Sequence, residues 1–153
     1  MILLLLIAPS IAGFSNASSY WEGFPHIYNC SGSGISNEML EKSLEFWNSN
    51  GMHHYDLKKD ENCSDEISMT GGIYIVGDSD ILKYDEHARS RVYFDDATGE
   101  IMYSHIFIKK EYQKNFKILT HELGHSFGLS HVFDTNDIMF FNAEISELNV
   151  TTN

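Results

Sequence analysis

The chain has 153 residues, 42% of them hydrophobic, enough for one packed domain and too many for a disordered segment. Its formal charge is −12, from 22 acidic against 10 basic residues, so nucleic acid and anionic membrane surfaces are disfavoured as partners. The same charge keeps the chain soluble and mildly favours neutral or cationic peptide segments.

The first residues, MILLLLIAPSIAGFSNA, read as a secretory leader over residues 1–17, with residues 18–153 as one domain. The apolar run Ile2–Ala8 is too short to cross a bilayer, which needs about 20 residues. Small residues at Ser15–Ala17 or Ser10–Ala12 offer a cleavage site, although no Lys or Arg precedes the run. A buried N-terminal strand is the competing reading. Secretion then implies an oxidising compartment, where the two cysteines, Cys30 and Cys63, point to a disulfide; two free thiols are the alternative. Asn16, Asn29, Asn62 and Asn149 head N-x-[ST] triplets, which matter only in a host that glycosylates.

Further along, Phe24–Tyr28 predicts a strand running to Cys30, and SGSG at 31–34 a turn. Ser36 or Asn37 caps a helix reaching about Asn48, with Met39, Leu40, Leu44 and Trp47 at helical spacing. Gly51 ends it. His54–Leu57 reads as a strand, Asp60–Glu66 as an acidic loop, Gly72–Val76 as a buried strand and Asp78–His87 as polar loop. Arg91–Phe94 and Glu100–Ile108 form two strands joined by a turn in DDATG. Lys110–Phe127 reads as one long helix. No repeat or low-complexity segment occurs.

That helix ends in HELGHSFGLSH, residues 121–131. Residues four apart lie one above the other on a helix, so His121 and His125 can reach one ion. Glu122 is rotated about 100° from His121, off the metal but beside any water the metal holds. Gly128 falls where a helix stops, because glycine takes the left-handed conformation without a Cβ clash. The chain can then turn back and deliver His131 as a third imidazole. Three neutral imidazoles and one open position are what hydrolytic zinc chemistry needs. The chain has 8 histidines, and a buried helix with incidental histidines explains neither Gly128 nor His131.

His121, Glu122, His125, Gly128, His131 and the later Met139 resemble the metzincin zinc metallopeptidases, and the step from His131 to Met139 is similar to the matrixin branch. The resemblance implies an α+β zincin fold: a twisted mixed β-sheet with an antiparallel edge strand, packed on a long active-site helix, followed by a Met-turn. It implies three histidine ligands for one catalytic zinc, Glu122 as general base, and Met139 in an apolar floor under the metal. An extended peptide would bind by adding itself to the sheet edge. Here Ile101–Ile108 is the expected edge, with Ile101, Tyr103 and His105 as contacts. The implied protein is a secreted, monomeric endopeptidase without a membrane span. A non-catalytic zinc-stabilised peptide-binding protein is the alternative, and the presence of Glu122 argues against it.

Departures from the family bear on specificity and control. Val132 stands where matrixins usually have Ser, and Phe140 and Phe141 where they typically have Tyr-Pro. An aromatic pocket wall from Phe140 or Phe141 is expected, with an apolar residue preferred just after the cut. No zinc-blocking cysteine motif is recognisable, YNCSGSG around Cys30 does not match one, and little chain follows Met139. The remaining histidines, His26, His53, His54, His87 and His105, read as ordinary polar residues. Asp78 and Asp80 in GDSD could hold calcium, but solvated loop carboxylates are the plainer reading.

Overall fold

A computed structural model describes residues 16–64 and 70–151. Five strands, β1 (His26–Cys30), β2 (Leu57–Glu61), β3 (Gly72–Gly77), β4 (Ala88–Phe94) and β5 (Ile101–Ile108), form one sheet in the order β2-β1-β3-β5-β4. Only β4 runs antiparallel to its neighbour. Two helices, α1 (Asn37–Ser49) and α2 (Phe116–Ser126), complete the fold.

The core lies between the sheet and the helices. Ile27, Ile73, Ile75, Ile106 and Ile108 point to one face, where they meet Leu40, Leu44 and Trp47 of α1 and Leu119 and Leu123 of α2. Alternation along each strand puts these β-branched side chains on the helix side. Ser36 caps α1 by accepting from the Met39 N–H. Trp47 then fixes α1 against α2 by donating from Nε1 to the Thr120 carbonyl at 2.8 Å.

Two elements depart from the sequence reading. The helix expected over Lys110–Phe127 is broken: a 3-10 turn occupies Lys110–Tyr112, and Asn115 starts α2 by accepting from the Ile118 N–H. An Asn at that point competes for the backbone and favours a cap over a helix interior. The second strand is Leu57–Glu61, not His54–Leu57. Its LKKDE sequence is polar because β2 is an edge strand, paired only with β1.

Cys30 and Cys63 are bridged, with Cα atoms 5.5 Å apart, tying the end of β1 to the chain just beyond β2. Asn29, in one of the N-x-[ST] triplets, is 3% exposed. Its amide donates to the Ile35 carbonyl and to Asn37 Oδ1, so in the fold it is a structural residue. Residues 1–15 of the expected leader, residues 1–17, lie outside the described residues. Asn16 and Ala17 lie against Ser130 and Leu129. No helix among the described residues is long and apolar enough to cross a membrane.

Candidate metal centre

α2 presents His121 and His125 on one face, and the chain beyond it returns His131 to the same point. The Nε2 atoms of the three rings are 3.1, 3.1 and 3.2 Å apart. Backbone carbonyls fix two of the tautomers. His121 Nδ1 lies 2.7 Å from the Ile138 oxygen, and His125 Nδ1 lies 2.7 Å from the Leu129 oxygen. A carbonyl oxygen can only accept, so both Nδ1 atoms carry the proton and both Nε2 atoms expose a lone pair. Burial, the largest cause, lowers the His121 pKa to about 4 and the His125 pKa to about 3, and lowers that of the more exposed His131 as well. These rings stay neutral, as metal ligands must.

The set fits zinc. Tetrahedral nitrogen ligands at the usual zinc distance are about 3.3 Å apart, close to the spacing found. Lone pairs converging this closely repel unless a cation lies between them. Among the described residues this is the one group of three or more His, Cys, Asp or Glu side chains arranged to hold an ion.

The return of the chain depends on Gly128, whose φ is +104°. Its N–H donates to the His125 carbonyl at 2.9 Å and closes the helix. A second turn, Asp137–Phe140, packs beneath the imidazoles. Asp137 is 1% exposed; its Oδ1 accepts from the Met139 N–H at 2.7 Å and its Oδ2 from the backbone and hydroxyl of Thr151. Met139 is fully buried, with its sulfur against Gly124 of α2. The turn also aims the Ile138 carbonyl that orients His121.

Glu122 is 7% exposed and lines a cavity of about 460 Å³ beside the imidazoles. Its carboxyl accepts from the Ser90 backbone N–H on β4, while Oε2 is buried with no hydrogen-bond partner. Burial raises its pKa to about 8.

The expected edge strand is corrected. β5 pairs with β3 on one side and β4 on the other, so Ile101–Ile108 has no free edge. Ile101 is buried in the sheet, and Tyr103 and His105 pack in an aromatic cluster with Tyr93. The free edge beside Glu122 belongs to β4, which doubles back on β5 and lies outside it. β4 residues line the cavities on both sides of the imidazoles. Of the two phenylalanines after Met139, Phe141 lines the cavity and is 62% exposed, whereas Phe140 is 7% exposed.

Sequence reasoning missed Ser90, Asp137 and the carbonyls of Leu129 and Ile138. It also missed three hydroxyls that tie β4 and β5 to α2: Ser126 Oγ is 2.6 Å from Ser90 Oγ and 2.8 Å from Ser104 Oγ. An Asp two residues before Met139 is the one local signal, since Asp favours such turns.

A mixed sheet backed by an imidazole-bearing helix, with three histidines able to hold one ion and a buried carboxylate beside them, is compatible with the zinc-metallopeptidase class. The matrixin family model matches residues 36–152, and the chain belongs to the matrixin family, whose members are generally zinc metalloendopeptidases. A search of curated proteins finds no match.

Proposed function

We propose that this chain is a secreted zinc-dependent endopeptidase that cuts extended polypeptide segments. His121, His125 and His131 hold one zinc, and Glu122 is the general base. A zinc held there supplies Lewis acidity toward a water and toward the scissile carbonyl.

The rest of the chemistry falls to the chain. Glu122 Oε2 accepts a proton from the attacking water and later passes it to the leaving amine. The Ser90 N–H steadies the other carboxylate oxygen. The Asp137–Phe140 turn acts as the Met-turn, with Met139 as an apolar floor that fixes the ring positions. The outer edge of β4 binds the substrate as an added strand, so main-chain hydrogen bonds select an extended peptide before any side chain is read.

The carrying observation is the buried, unpartnered Oε2 of Glu122 beside three converging Nε2 atoms. An open acceptor beside the imidazoles is what a general base needs to take a proton from a metal-held water. A peptide-binding protein would have no use for it. Secretion is supported by the leader sequence and by the Cys30–Cys63 bridge. The proposed leader is residues 1–17 and the proposed mature domain 18–153. We also propose a monomer.

Metal analysis tests the ligand set. Purified, dialysed protein should carry close to one zinc per chain, and His125→Ala should lose it. Full zinc occupancy in that variant would rule the assignment out.

A further inference from the structure

The cavity beside Glu122 is not the purely apolar pocket that Phe140 and Phe141 lead one to expect. Ile118 of α2 and Phe141 give it an apolar wall, but Asp85 and Glu144 stand in its lining. Asp85 makes no ion pair or hydrogen bond among the described residues. Glu144 faces only His87, with Oε2 3.4 Å from Nδ1. The cationic group in the lining, Arg89, is already paired with Glu86. Besides Glu122, the cavity therefore carries two exposed carboxylates with no fixed cation opposite them, in a chain of charge −12.

We propose that this cavity receives the side chain that follows the cut bond, and that Asp85 and Glu144 make it select lysine or arginine. The proposal rests on the endopeptidase reading. A long cationic side chain satisfies both parts of the lining: its aliphatic stem packs on Ile118 and Phe141 while its head reaches the carboxylates. A neutral apolar side chain gains the first contact and leaves the carboxylates unpaired. An acidic one meets like charge, which the fold gives it no means to offset.

The test uses the zinc-loaded protein on peptides that vary at the one position after the cut. Arg and Lys should exceed Leu and Met in kcat/KM by about ten- to a hundredfold, the size of one charge-assisted hydrogen bond. In Asp85→Asn/Glu144→Gln that ratio should fall toward one, and in Glu144→Lys acidic residues should overtake basic ones. Wild-type preference for Leu or Met, or an Arg preference unchanged in the double variant, overturns the proposal alone. Cleavage of no peptide at all overturns the endopeptidase reading and this proposal with it.

Discussion

Gly128 lies against Ser19 so closely that a Cβ built on it would fall inside the Ser19 carbonyl oxygen. The pair joins the N-terminal segment to the loop that delivers His131. Ser18 N–H donates to the Gly128 carbonyl at 2.8 Å, and Ser130 N–H to the Asn16 carbonyl at 2.8 Å. The glycine is required twice, by its positive φ and by this approach. Gly128→Ala should destabilise the fold by about 1–3 kcal/mol or more and weaken zinc binding, because both the strain and the clash displace His131. Urea unfolding and a zinc-binding titration check it; wild-type values in both would contradict the role.

Glu122→Gln should keep its zinc and lose turnover by about 10²–10⁴ or more, the size of positioned acid–base catalysis. The amide keeps the shape and an acceptor for the Ser90 N–H but cannot take the proton. Zinc content and kcat, measured on the same sample, separate this role from metal binding. Near-normal kcat would exclude Glu122 as the base.

The Cys30–Cys63 bridge, with a sequence separation of 33, encloses α1 and β2. Loop-closure entropy puts its contribution at about 3–4 kcal/mol. Cys30→Ala/Cys63→Ala should unfold at correspondingly lower denaturant, and intact mass should show no alkylation of the wild type without reductant. An unchanged midpoint in the double variant would contradict the estimate.

The metal-free chain should be most stable near pH 6.5. His121 and His125, with folded pKa values of about 4 and 3, are neutral in the fold but charge in the unfolded chain below about 6.5. Glu122, held at about 8, keeps a proton in the fold that the unfolded chain releases above about 4.5. Between about 4.5 and 6.5 the unfolded state thus holds at least one more proton, two from His121 and His125 and a further share from His131 against one lost at Glu122, and stability rises with pH. Between about 6.5 and 8 the folded state holds the extra proton, and stability falls. Urea midpoints across pH 5–8 in chelator test both limbs; a monotonic profile would show that one set of groups does not behave this way.

The site was legible in the sequence where it is local. Four-residue spacing alone brings His121 and His125 together, and a helix-stopping glycine returns His131. The edge strand was not. The hairpin of β4 and β5 is visible in the pattern, but which strand lies outside depends on β5 pairing with β3, a contact distant in sequence. The start of α2 was hidden because Lys110–Tyr112 keeps a helical composition through a 3-10 turn, and Asn115 is one ambiguous residue. β2 was misplaced because a polar edge strand carries no alternation to read. The second layer of the site, from the Leu129 and Ile138 carbonyls to the Ser90 N–H, is backbone and leaves no trace in residue type.

The most direct test of a zinc endopeptidase is the hydrolysis of an unfolded polypeptide by the purified chain, followed by mass spectrometry. The assay compares protein as purified, in chelator, and after zinc is restored. Internal cleavage should occur, stop with the chelator and return with zinc. No cleavage by the zinc-loaded chain, or cleavage indifferent to the chelator, would contradict the account.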